Sequence, residues 1–125
     1  TEQIVRDPLR VGDNGSIVCA GEVPEGSFVH LLYGNERSLI EAASTALERA
    51  RAALPTWKQS DLHLFMDCIS RVLFLGDRFQ DELDAVCNDD VPFVGACTIG
   101  EIANSGADFL QFYNKTSVLA VLEGP

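Results

Sequence analysis

Histidine is scarce in this chain of 125 residues: there are two, His30 and His63, beside a single methionine and a single tryptophan. The four cysteines, Cys19, Cys68, Cys87 and Cys97, form no Cys-x-x-Cys pair. These shortages leave no recognisable ligand spacing for zinc, and no metal or other cofactor is expected. Basic residues are few as well, 9 Lys and Arg against 19 Asp and Glu, for a formal net charge of −10. So acidic a surface repels phosphate backbones and anionic head groups, which sets aside nucleic acid and membrane as partners. No apolar run approaches the ~20 residues that a bilayer-spanning helix needs. No signal peptide is visible, but the chain starts at Thr1, and we read it as a piece of a longer protein. A serine-histidine-aspartate set, a phosphate-binding loop and paired-carboxylate spacing are missing too, so nothing argues for an enzyme. No repeat, low-complexity tract or linker divides the chain.

What is present is apolar material. With 46% hydrophobic and 22% charged residues, the composition is that of a globular protein. Residues 1–125 suffice for one domain whose core needs neither disulfide nor metal. Buried thiols in a reducing compartment are the simplest reading of the cysteines, and a cytoplasmic location is the matching expectation.

The stretch Pro92–Ile102 reads as an interior strand, covered on both faces, because Gly95, Ala96, Cys97 and Thr98 let neighbouring backbone come close. A turn through Ala103–Asp108 leads into Phe109–Asn114 and then Val118–Leu122, which together predict an antiparallel meander. Toward the N-terminus, Arg6-Asp7-Pro8-Leu9 is extended and Asp13-Asn14-Gly15 is a turn signal. Ser16–Ala20 and Ser27–Tyr33 read as strands of a hairpin joined across Val23-Pro24-Glu25-Gly26. Leu39, Ala43, Ala46, Leu47, Ala50 and Leu54 recur at helical spacing. That helix is capped at Ser38 or Asn35 and stopped by Pro55. Leu62–Cys68 is a nearly all-apolar third strand, read as interior. A helical turn over Ile69–Leu75 breaks at Gly76. Asp77-Arg78-Phe79-Gln80 has capping-box form, and Phe79, Leu83, Val86 and Cys87 mark the face of a second helix, closed by Asn88-Asp89-Asp90 and Pro92. The predicted order is ββαβαβββ, an α+β fold with a single, mostly antiparallel sheet layer covered by two main helices.

Three places carry candidate chemistry. In Asp67-Cys68-Ile69-Ser70-Arg71 a thiol sits where a strand hands over to a helix, with a guanidinium one turn on. Backbone N–H groups and that cation would stabilise a thiolate, whereas the plainer reading is a small buried cysteine. Glu101 follows Gly100 at a strand exit, where a carboxylate can meet a cationic ligand group or pair with Arg71. Asn114-Lys115-Thr116 matches the N-glycosylation pattern, but in a reduced cytosolic protein Asn114 and Thr116 are better read as bonding neighbouring backbone. His30 and His63 read as satisfied core or edge residues, and Trp57 as a packing lid.

These residues bring a family into view. Gly95-x-x-Thr98-x-Gly100-Glu101-Ile102, a variable loop and an aromatic strand ending near Asn114-x-Thr116 resemble the C-terminal half of FIST domains, the "F-box and intracellular signal transduction" modules. Cys68-x-x-Arg71, Arg6-Asp7-Pro8-Leu9 and Pro24-Glu25-Gly26 extend the resemblance over most of the chain. It implies a non-catalytic sensory module for a small ligand such as an amino acid or derivative. It also implies an N-terminal FIST half and a signalling output domain or protein as partners. Where the family often has histidine and glutamine flanking the asparagine, this chain has Tyr113 and Lys115, so no role of that histidine carries over. Strand-end position and resemblance together mark Cys68, Arg71, Thr98, Gly100, Glu101 and Asn114 as the expected ligand site. Two rival readings stand beside it: an interaction module whose acidic surface docks a basic partner, and a thiol-based redox or electrophile sensor centred on Cys68.

Overall fold

A computed structural model of the chain describes residues 4–87, 90–104 and 110–124. It opens with strands β1 (Pro8–Val11) and β2 (Ile17–Cys19), then the long helix α1 (Glu36–Ala52). Strand β3 (Leu62–Cys68) runs directly into the short helix α2 (Ile69–Leu75). A 3-10 turn at Gly76–Arg78 leads to α3 (Phe79–Val86). Strands β4 (Phe93–Thr98), β5 (Glu101–Ala103), β6 (Gln111–Tyr113) and β7 (Ser117–Leu122) complete the order. The class is α+β, and α1 and α3 are the helices that bear on the main sheet.

That sheet has three strands in the order β4-β3-β7. β3 pairs parallel with β4, Phe65 opposite Gly95, and antiparallel with β7, Phe65 opposite Leu119. Strand alternation decides which side chains meet the helices. His63, Phe65 and Asp67 of β3 are buried, while Leu62, Leu64 and Met66 between them are only partly so. Phe65 joins Ala43 and Leu47 of α1 and Val86 of α3 in the core, with Leu83, Phe93 and Leu119 packed around them. The Leu39, Ala43, Leu47 stripe recurs every four residues, which turns one side of α1 to the sheet. α1 starts on a reciprocal cap: Asn35 Oδ1 accepts from the Ser38 N–H at 2.9 Å, and Ser38 Oγ accepts from the Asn35 N–H at 2.9 Å. Gly76, at φ +54°, separates α2 from α3.

Several expectations are corrected. The strands form not one sheet but three: β1-β2, β4-β3-β7 and β5-β6. Three of the strand pairs are antiparallel and β3–β4 is parallel. The central strand is β3, and β4 is an outer strand whose Val94, Gly95, Ala96 and Cys97 are exposed. Its small residues serve one neighbour only, since a side chain at Gly95 would collide with the Phe65 carbonyl. No C-terminal meander forms, because β7 returns to β3. Ser27–Tyr33 is not a strand, and β2 finds its partner in β1. Asp77 caps nothing: α3 starts from the 3-10 turn without a side-chain cap. Cys87 and Cys97 are exposed rather than buried. Of the predicted loops, Asn88, Asp89, Ser105–Asp108 and the first residue of the strand begun at Phe109 lie outside the described residues.

Candidate functional site

The carboxyl ends of β3 and β4 lie side by side, Cys68 opposite Thr98, and β5 begins three residues after Thr98. Strand geometry alone therefore brings Cys68, Thr98 and Glu101 to one rim. Gly100 makes the intervening turn at φ +81°, and a side chain there would run into the Phe112 ring and lie 3.1 Å from Asn114 Nδ2. β5 pairs with β6, Glu101 opposite Tyr113, so Asn114 follows directly at the same end. Thr116 Oγ donates to the Asn114 carbonyl at 2.9 Å, closing the tight turn in which Lys115 takes a positive φ of 55°.

Glu101 is only 3% exposed. Its Oε1 accepts from Thr98 Oγ at 2.9 Å, while Oε2 is buried without a hydrogen-bond partner. Burial pushes its carboxyl above the usual range, against the pull of Thr98, Cys68, the Thr116 amide and Arg71. Asn114 Oδ1 is likewise buried and unpartnered. Cys68 is buried, with Sγ 3.2 Å from Ser70 Oγ.

Arg71 faces inward. Its Nε lies 3.0 Å from Asp67 Oδ1, one helical turn back, and its Nη2 donates to Glu82 of α3 and, at 2.9 Å, to the Leu39 carbonyl of α1. The guanidinium thus ties β3, α1, α2 and α3 together and is consumed by them. Asp67 also accepts from Ser117 Oγ at 3.1 Å, and its other oxygen is unpartnered. Burial, then the Glu82 charge, pushes Asp67 up to about 6. Two buried carboxyl groups, Asp67 and Glu82, therefore contact one cation, a third, Glu101, lies within reach of its charge, and the unpartnered atoms of all three are acceptors.

The six expected residues fall into two joined groups. Cys68, Thr98, Gly100, Glu101 and Asn114 share the rim, and Arg71 stands behind it close enough to act on the Glu101 charge. Asp67 and Glu82 were not singled out from the sequence. The signal was present: Asp67 precedes Arg71 by four residues, and Glu82 shares the apolar face of its helix with Val86. His63 is buried with both ring nitrogens unpartnered, so it is not the satisfied histidine expected, whereas His30 is exposed. Trp57 is partly exposed and stacks under the Arg51 guanidinium, 4.6 Å from the ring centroid. An open hollow of about 470 Å³ at the start of α1 is lined by Tyr33, Asn35, Arg37, Phe74 and Arg78, and none of the six residues borders it. Among the described residues no group of His, Cys, Asp and Glu is arranged to hold a metal ion, and no helix is long and apolar enough to cross a membrane.

No curated protein and no solved structure matches the chain. A family model described as "FIST C domain" matches residues 1–104. The matched stretch includes the strand β3 rim, Cys68, Arg71 and the Thr98-x-Gly100-Glu101 turn, and stops short of Asn114. With most of its length so matched, the chain belongs to the FIST C domain family, a family of signal-transduction sensory domains.

Proposed function

We propose that the chain is a non-catalytic, cytoplasmic sensing module that binds a small ligand bearing an ammonium group, such as an amino acid or a derivative of one. The observation behind this reading is the unpartnered Oε2 of Glu101, buried beside a second unpartnered acceptor, Asn114 Oδ1. A buried acceptor without a donor costs on the order of 1–3 kcal/mol, more when charged, and a ligand cation supplies donors and charge together. In this reading Glu101 and Asn114 take the ammonium group, Thr98 and Gly100 hold Glu101 in place, and Cys68 lines the rim. Arg71 acts from behind as a positioning residue. The N-terminal FIST half and a signalling output partner read the bound state.

Titration calorimetry of the full-length protein against a panel of amino acids and amines tests this. Glu101→Gln keeps the shape and the Thr98 contact but removes the charge, and it is expected to weaken binding about tenfold or more. Equal binding by wild type and Glu101→Gln removes Glu101 from the site. The thiol reading has less support, because Cys68 is buried and its sulfur is engaged with Ser70.

A further inference from the structure

A free α-amino acid carries an ammonium group and a carboxylate on one carbon, so a site that takes it whole must set acceptors and a countercharge for the carboxylate side by side. The rim at Glu101 supplies the first and lacks the second. Glu101 Oε2 and Asn114 Oδ1 are buried without partners, as are Asp67 Oδ2 and Glu82 Oε2 behind them. Arg71 is the one lysine or arginine among the buried residues described. Its Nε faces Asp67 at 3.0 Å, and its Nη2 donates to Glu82 and to the Leu39 carbonyl.

The cations nearest the rim are occupied as well. Lys115, beside Asn114, places its ammonium 3.4 Å from Asp7 and 5.3 Å from the centre of the Phe74 ring. Arg6 donates to the Phe112 carbonyl at 2.6 Å and to the Glu22 carbonyl at 3.0 Å. The Thr98 hydroxyl is committed to Glu101 Oε1.

We infer that the site selects primary amines without a neighbouring carboxylate and rejects the α-amino acids that bear the same side chain. This selectivity deepens the ammonium site proposed above and rests on it. A nitrogen at hydrogen-bond distance from Glu101 Oε2 brings a carboxylate on the next carbon within about 6 Å of the Glu101 charge. Two like charges then face each other away from water, where their repulsion is least screened. Arg71 cannot turn to the newcomer without stranding Asp67 and Glu82. Burial already raises the Glu101 carboxyl, as befits an anion short of countercharge. An amine supplies one positive charge, whereas a zwitterion supplies none in sum. Built-in repulsion of this kind separates ligands that the attractive contacts treat alike.

Titration calorimetry of the full-length protein at pH 7 with matched probes tests it. The sets are isobutylamine, valine and valinamide; phenethylamine, phenylalanine and phenylalaninamide; cadaverine, lysine and lysinamide. In a set that binds, the amine and the amide are expected to bind about tenfold or more tighter than the amino acid. The amide has the amino acid's size without its negative charge, so an amide as weak as the amino acid overturns the inference by showing that size excludes. An amino acid as tight as its amine overturns it too, and the ammonium site still stands if Glu101→Gln weakens both. In Glu101→Gln the amine is expected to weaken about tenfold or more and the amino acid less, so that the gap between them narrows. A gap that stays the same overturns the inference. No binding by any probe at about 10 mM removes the ammonium site and its selectivity together.

Discussion

His63 and Arg71 show what burial does to single polar residues in this fold. His63 is enclosed without a partner for either nitrogen, and burial followed by the nearby Arg51 charge lowers its pKa. A histidine held neutral stabilises the fold above its unfolded value near 6.5, and that contribution is lost as pH falls. Asp67 and Glu101, both raised, act in the opposite sense: their preference for the neutral form favours the fold at low pH and is lost as pH rises, for Asp67 through about 6. The two trends oppose each other in mild acid. His63→Leu removes one of them along with two unpartnered buried atoms. Its unfolding free energy, from urea titration, is expected above that of wild type at pH 7 by about 1 kcal/mol or more, with a wider margin at pH 5. Arg71→Met does the reverse. It leaves Asp67 and Glu82 as buried carboxylates without their cation, and unfolding experiments at pH 7 are expected to show a loss of about 3–5 kcal/mol. Lysine is a poor substitute there, since one ammonium cannot reproduce a fork shared by three acceptors.

The elements differ in how far local sequence determines them. α1 is written in its own residues: the four-residue stripe of Leu39, Ala43 and Leu47, the Asn35–Ser38 cap and the stop before Pro55 all lie within it. Asn35→Ala is accordingly expected to cost about 1 kcal/mol in a denaturant titration without changing the fold. β3 was legible too, since a seven-residue, mostly apolar run bounded by Asp61 and a helix start has few alternatives. β4 was misplaced because Gly95, Ala96 and Cys97 fit a strand hemmed in from both sides and equally one pressed against a single neighbour. Small side chains record close approach but not its direction. Ser27–Tyr33 carries strand composition without a strand, because pairing depends on a partner that local sequence does not contain. The rim of the site was legible as far as it follows strand ends: Cys68, Thr98 and Glu101 meet because parallel strands place their exits together. Arg71 was read as facing a ligand because its inward partners, Glu82 and the Leu39 carbonyl, come from elements 11 and 32 residues away.

At the level of the whole molecule, acidic residues outnumber basic ones by 19 to 9, and part of that excess is buried in the Asp67, Glu82 and Glu101 group. Like charge on a small chain disfavours the compact state, and salt relieves the repulsion. Raising NaCl from about 0.05 to about 0.5 M is therefore expected to raise the melting temperature, and a lowering would show that ion pairs outweigh the repulsion. The exposed pairs give little reason to expect that. Arg78 joins Glu36 and Asp81, and Arg37 joins Glu41, but all are open to water.

β7 is made after every other strand described here, yet earlier parts of the chain wait on it. β3 lacks its second neighbour until Ser117–Leu122 arrives. Asp67 lacks the Ser117 hydroxyl, Cys68 N–H lacks the Thr116 carbonyl, and Asp61 lacks the Gly124 amide, the strongest of the donors that hold its carboxyl below the usual range. On the ribosome, then, the growing polypeptide cannot lock its middle strand as that strand emerges. It carries a half-made apolar ribbon through the synthesis of some fifty further residues, an interval in which chaperone capture competes with folding.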